Sequence, residues 1–463
     1  MATVTAGQLK ATNITAAATS ADYGQAPDQR RLYDFGDRVA ELSPEESPFF
    51  VYLNKMSKSP TNDPVFRFLE NRSKIDWTTR SFELAADVNG GSAVSEGTQY
   101  SFTVDDSSSG SATDVNWLQK GMVFAVQVLD AAVGTAYATV RVDSSVTDTG
   151  SANTFTGRVI SLPSSSFSTG YNVLSNNDKC QVIGTSFEEG TGSPDVWSKG
   201  LDDDYGYTQI FKTAAEMTNT AIATNLRGYA NEWNRIWNLK LREHKVDIER
   251  AMLFGQRNRV DSIQYSEGIV GHVIKNSAPT SGDANLSYVP GTAYNRTLAE
   301  GEFTYDRLLT DFEVIFDPAR GGSSAKLALA GLPVMSLFNK FGAGGLIKET
   351  NDANTYQQYN IDKEYVEGSY GHKLLAVNTI HGDLNLVREP LFRGFSSAYM
   401  MIVDMGQVKY RPLVGNGLNR DTHIITNVQQ ADEDLRKDMI LTEAGLEINL
   451  PETHCLYNFE AVT

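Results

Sequence analysis

Six histidines, two cysteines and a run of three aspartates are the side chains in this 463-residue sequence with the most obvious chemical potential. His244, His272, His372, His381, His423 and His454 are scattered, and no two stand at the i, i+4 spacing that puts a metal-ligand pair on one helix face. Cys180 and Cys455 are far apart and outside any metal-ligand spacing, so they read as buried, reduced thiols. Asp202, Asp203 and Asp204 could attract a hard cation, but calcium loops alternate acidic residues with spacers and a turn glycine. The run reads instead as a solvated loop or one half of an intersubunit charge contact.

Motifs that carry catalysis are missing. Gly-x-Ser-x-Gly, His-Glu-x-x-His, the phosphate-binding Gly-x-x-x-x-Gly-Lys-Ser/Thr and Gly-x-Gly-x-x-Gly do not occur. Gly415-Asn416-Gly417 has no third glycine, and the glycines between Gly342 and Gly345 follow no strand. No catalytic residue, no metal and no cofactor is therefore expected. Paired carboxylates have no sequence signature, which leaves an acid-dependent hydrolase as a rival class.

Charge and composition narrow the partners. A net charge of -17 and a pI near 4.9 repel polyanions, which disfavours sequence-specific DNA binding. The one candidate basic stripe is Arg227, Arg235, Lys240, Arg242, Lys245 and Arg250, which reads as a solvated helix face. With 41% hydrophobic and 21% charged residues the chain can fill a sizeable core, and its length suggests two or three lobes. No secretory signal and no apolar stretch of membrane-spanning length is visible, so no membrane is expected, and the protein is expected to be made in and stay in the cytoplasm until whatever contains it leaves.

The elements that must position these residues can be read along the chain. Residues 1–27 are rich in Ala, Thr and Ser and read as a flexible arm; Ser43-Pro44-Glu45-Glu46 looks like a helix start. Phe49, Phe50, Trp77 and Phe82 lie on the arm and the following extended loop, and they are expected to find cover on neighbouring copies. Alternating runs over Val65–Leu84 predict strands. Turn-rich sequence from about 87 to 198, with runs such as Met122–Val126, Ala138–Val142 and Arg158–Leu162, predicts a small antiparallel unit inserted into a longer hairpin that closes over Tyr205–Lys212.

The strongest local signal predicts one helix over Thr218–Phe254, about 55 Å long at 1.5 Å per residue. Its apolar face carries Leu226, Tyr229, Trp233, Trp237, Leu241, Ile248 and Met252, and Gly255 suits its end. Beyond Gly268, strands alternate with short helices: Phe303–Phe316 helical, Ala325–Ala330 a buried strand, Leu332-Pro333 a helix start, and 341–359 a loop. Strands follow at His372–Asn378, Asp383–Arg388 and Tyr399–Val403, then a last pair at Asp438–Thr442 and Gly445–Leu450, and Leu456–Phe459. The fold class is α+β.

That order of parts resembles the Hong Kong 97-like fold of tailed-bacteriophage major capsid proteins. The strand Tyr205–Lys212 running into the long helix, with Asn225-Leu226-Arg227, Glu232-Trp233 and Glu249–Gly255, looks like the SU-ten-like capsid family. So do His381–Val387, Ile402-Val403-Asp404, Tyr410-Arg411-Pro412 and Thr442–Glu447 near the carboxyl end, although His381 stands where the family usually has Phe.

The resemblance implies an amino-terminal arm (1–62), an extended β-hairpin loop with its β-rich insertion (63–216), a spine helix of a peripheral domain (217–267), an axial domain (268–433) and a return to the peripheral domain (434–463). It implies a structural major capsid protein that self-assembles into hexamers and pentamers and encloses double-stranded DNA without sequence-specific binding. Scaffolding, portal and decoration proteins are the implied partners, and no position matches a covalent cross-linking motif. The rival readings are a β-rich glycan-binding module of a virion or cell surface and a bacterial nanocompartment shell protein of the same fold.

Overall fold

A computed structural model describes residues 48–71, 80–105, 115–130, 134–148, 153–164, 170–196, 200–224, 231–277, 279–281, 292–299, 302–317, 322–338, 365–367 and 373–459. Trp77, Leu226, Arg227 and Tyr229, the expected helix start at Ser43 and the expected loop at 341–359 lie outside these residues.

An eight-stranded mixed sheet organises the body. Its order is Pro279–Ser281, Tyr294–Leu298, Cys455–Phe459, Tyr399–Val403, Ala325–Ala330, Asp383–Arg388, Lys373–Asn378 and Tyr365–Glu367. Ala325–Ala330 runs parallel to Asp383–Arg388 and antiparallel to Tyr399–Val403. A strand covered on both faces needs no polar alternation. Leu327 and Leu329 accordingly enter one core while Ala328 and Ala330 enter the other. The first core is closed by the helix Pro48–Met56, the helix Glu232–Phe254 and the helix Ile269–Lys275. Tyr305–Ile315 covers the second with Leu308, Phe312 and Ile315.

A second sheet pairs Gln209–Thr218 with the 14-residue strand Leu435–Ile448, which also pairs with Val408–Pro412 and His423–Ile425. Here the expectation of two strands at Asp438–Thr442 and Gly445–Leu450 is corrected. The chain does not turn at Glu443-Ala444; it changes partner, leaving Gln209 and taking up Pro412 at Ala444. Residues 435–459 divide between two sheets. Leu435–Ile448 lies in this second sheet, whereas Cys455–Phe459 sits inside the eight-stranded one between Tyr294–Leu298 and Tyr399–Val403.

The continuous helix over Thr218–Phe254 is corrected as well. Thr218 ends a strand, its side chain caps a five-residue helix at Asn219–Ala223, and Thr224 returns to extended backbone. Asn231 is extended too and caps a separate 23-residue helix, Glu232–Phe254, about 35 Å long. The periodicity ran through both helices without marking the two caps. Trp233, Ile248 and Met252 are buried, Trp237 and Leu241 are half-buried, and Ile222 is exposed.

The inserted unit is a barrel. Ser81–Leu84 pairs with Gln99–Asp105 and Lys179–Thr185, and the circuit continues through Met122–Asp130, Gly134–Val142 and Asn153–Ser161 back to Gln99–Asp105. Every pairing is antiparallel, so six strands close on themselves without a free edge. Inside, Phe82, Phe102, Phe124 and Phe155 interlock, with Phe102 and Phe155 stacked at 5.3 Å between ring centres. Cys180 is part of this core and Cys455 of the second body core; both are buried thiols outside any disulfide.

Candidate assembly surfaces and joints

The strands Val65–Glu70 and Asp202–Tyr207 pair antiparallel in a stem that leads into and out of the barrel. The aspartate run is therefore a strand, and the expected loop is corrected: Asp203 points to the face opposite Asp202 and Asp204. Asp203 lies 3.5 Å from Arg67, an open pair worth little in water. Asp204 turns into the body. Arg257, just past the long helix, donates to Asp204 Oδ1 at 2.6 Å and to the Tyr205 carbonyl, and its guanidinium stacks 4.2 Å from the Tyr205 ring centre. Arg257 also meets Glu267 at 3.5 Å, and Glu267 is met in turn by His272 and Lys275. Burial works against the Glu267 charge, but His272, Arg257 and Lys275 outweigh it and hold its carboxyl below the usual range. One arginine thus ties the stem to the end of the long helix.

On the other stem strand, Glu70 Oε1 accepts the Leu450 amide at 2.7 Å, and Arg411 lies over the Phe66 ring. Gly206 is required here: a Cβ would meet the Phe66 ring at 2.4 Å. The stem is held from both sides.

Phe49, Phe50 and Phe82 do not wait for a neighbour, and this expectation is corrected. Phe49 and Phe50 are 0% and 5% exposed within the first body core, and Phe82 is 1% exposed within the barrel. Apolar side chains that the described residues leave open lie elsewhere. Leu69 on the stem is 65% exposed, and Tyr137, Ile160 and Ile183 stand on the barrel exterior. The hairpin Asn258–Val260/Ile263–Tyr265 exposes Val260, Ile263 and Tyr265 around a two-residue turn with φ of 47° at Asp261 and 68° at Ser262. That mirror-image turn matches the strand twist and presets the hairpin shape. Asp261-Ser262 is a weak turn signal, so the sequence does not mark this hairpin.

Three members of the basic run on the long helix are matched by acids one turn away. Arg235 pairs with Glu232, Lys240 with Glu243 and Arg250 with Asp247. Such pairs offset much of the local positive charge of this face. Among the described residues no group of three or more His, Cys, Asp or Glu is placed to hold a metal ion, and no helix is long and apolar enough to cross a membrane.

Polar groups buried in the cores hold elements in register. His244 joins Thr213 at 2.9 Å and Thr442 at 2.8 Å, bridging the helix to both strands beneath it, and burial lowers its basicity. In the second core Arg296, fully buried, donates to both Asp311 oxygens, and the Tyr457 hydroxyl donates to Asp311 Oδ2 at 3.1 Å.

No curated protein matches the sequence. Solved structures align at low identity: the cyanophage A-1(L) capsid (9% identity, 60% of this chain and 85% of that chain, TM-score 0.39) and the capsid of the native GTA particle (10%, 60% and 80%, 0.34). The SrpI encapsulin complex of Synechococcus elongatus aligns at 10% identity over 57% of this chain and 79% of that chain, with a TM-score of 0.33. A family model described as SU10 major capsid protein matches residues 10–460, nearly the whole sequence. The chain belongs to the SU10 major capsid protein family.

Proposed function

We infer that the chain is the wall subunit of an icosahedral phage head, whose copies contact one another and close into a shell around double-stranded DNA. The observation that carries this reading is the family match over residues 10–460. Its place is the viral capsid, assembled in the host cytoplasm. Contacts between unlike patches of identical subunits generate rings when the rotation closes, which suits hexamers and pentamers. The acidic balance of -17 suits a container that must not grip the DNA it encloses.

In this reading the stem and barrel form the extended loop, the helix Glu232–Phe254 is the spine of a peripheral domain, and the eight-stranded sheet belongs to the axial domain. Contacts between copies involve Asp202 and Asp203 on the stem, Trp77, and the exposed apolar residues Leu69, Val260, Ile263 and Tyr265. Scaffolding, portal and decoration proteins are the further partners, with the barrel exterior offering Tyr137 and Ile183.

Electron microscopy and sedimentation of the purified chain test the reading. Closed shells, or rings of five and six subunits, are expected; a chain that stays monomeric at high concentration with every scaffolding condition supplied overturns it. Deleting residues 1–47 tests the arm: folded subunits that fail to close are expected, and normal shells would remove the arm from assembly. The deletion stops at residue 47 because Phe49, Phe50 and Leu53 belong to the body core.

A further inference from the structure

We propose that Glu249 and Glu389 form a proton-binding latch that holds the amino-terminal helix Pro48–Met56 on the body. Three segments distant in sequence meet there. Glu249, on the long helix, accepts the Phe49 amide at 2.7 Å and the Phe50 amide at 3.4 Å through Oε1. These are first-turn amides with no partner inside their own helix, so a side chain 200 residues away supplies the cap. Glu389, directly after the strand Asp383–Arg388, accepts the Leu391 amide at 3.1 Å through its own Oε1. The two carboxyls act on each other electrostatically, and Oε2 of each is buried with no hydrogen-bond partner among the described residues.

Both side chains are sealed, Glu249 at 0% and Glu389 at 1% exposure. Two carboxylates in contact inside an apolar core cannot both be ionised without a large penalty, whereas one proton between them turns repulsion into a charge-assisted hydrogen bond. Among the described residues neither carboxyl has an ion-pair partner, and Lys55 on the amino-terminal helix is exposed. Lys245 and Arg250 on the long helix, and Arg388 and Arg393 around Glu389, point to solvent. His244 is occupied by Thr213 and Thr442, and His272 faces Glu267. The amino-terminal helix contributes the two amides and the apolar Phe49, Phe50 and Leu53. A proton is therefore the ligand the site can take.

The direction of the pH response follows. Burial, then Glu389, pushes the Glu249 carboxyl well above the carboxylate range, and burial pushes Glu389 up to about 7. The docked helix binds more protons than the undocked one, whose carboxyls titrate normally. Docking is complete in mild acid and weakens as the pH rises through 7 and beyond. Release uncovers Phe49, Phe50 and Leu53 together with the wall they cover.

Hydrogen exchange of the full-length chain tests the latch. Protection factors of amides 49–56, corrected for intrinsic rates, should fall by about tenfold or more per pH unit above neutrality, one decade for each proton released. Amides of the strand Leu435–Ile448 should hold their protection. Glu389→Gln replaces the shared proton with an amide hydrogen and should flatten the profile while the helix stays docked. Glu249→Gln is the second variant and should flatten it too. A flat wild-type profile overturns the latch; so does an unchanged slope in whichever variant folds.

Discussion

At the scale of single residues, the polar groups that matter most are the ones no motif marks. Arg296 and Asp311 form a pair at 0% and 1% exposure, completed by Tyr457. Removing one partner strands the other's charge in an apolar core, so Asp311→Ala should cost about 3–5 kcal/mol, read from the urea midpoint. Replacing both partners with apolar groups of similar volume should cost far less, which separates charge from packing. Glu267 predicts a response opposite in sign to the latch. Its carboxyl is held below the usual range by His272, Arg257 and Lys275 against the opposing effect of burial, so its contribution is present above the normal glutamate range and fades as the pH falls through its own. Acid should loosen the Arg257 joint between stem and helix, and Glu267→Gln should remove that acid dependence, measured as exchange of the Asp204–Tyr207 amides between pH 6 and 3. None of these partnerships was legible in the sequence. Glu249 sits between Ile248 and Met252 on a face read as apolar, and only its contact with a segment 200 residues away explains a carboxyl there.

At the scale of elements, local pattern reached far and pairing did not. Ala325–Ala330, Asp383–Arg388 and Tyr399–Val403 form at the residues their apolar runs predict, because strands buried on both faces need no alternation. Which strand lies beside which is decided by contacts far along the chain. Thus Cys455–Phe459 crosses into the eight-stranded sheet, and Leu435–Ile448 runs through the point where a turn was expected. The helix break was hidden for another reason: Thr218 and Asn231 cap their helices with side chains, and apolar periodicity does not register caps. The end of the long helix makes a sharper prediction. A Cβ on Gly271 would lie 2.4 Å from the Gly255 carbonyl oxygen, and one on Gly268 would lie 2.5 Å from the Gly255 nitrogen. Backbone cannot yield as a side chain can, so Gly271→Ala should force the helix Ile269–Lys275 off Glu232–Phe254 at a cost of about 1–3 kcal/mol. Thermal unfolding measures it, and a neutral substitution would show that the two helices are not packed backbone to backbone.

For the molecule as a whole, the closed barrel changes what a shell subunit of this kind must do on its own. Sequence patterning locates an inserted β unit but cannot show that it closes, because closure depends on Gln99–Asp105 pairing with Asn153–Ser161, strands separated along the chain by other strands of the unit. Closure has an energetic consequence. The barrel owns a core built on Phe82, Phe102, Phe124, Phe155 and the valines around them, and the three other clusters among the described residues, all in the body, share no residue with it. With no free edge and its own buried apolar surface, the barrel needs the body for position only. Residues 80–186 expressed alone should fold to a monomeric β protein with a cooperative thermal transition. In the full chain, replacing the same residues with a short turn should leave a folded body, since Arg257, Glu70 and Gly206 anchor the stem below that point. If the excised barrel stays unfolded, or the body collapses without it, contacts outside the stem must join the two, and the barrel would have to be counted as part of the wall itself. If both fold, the barrel is a separable passenger, and shells assembled from the shortened chain would show directly whether the wall needs it.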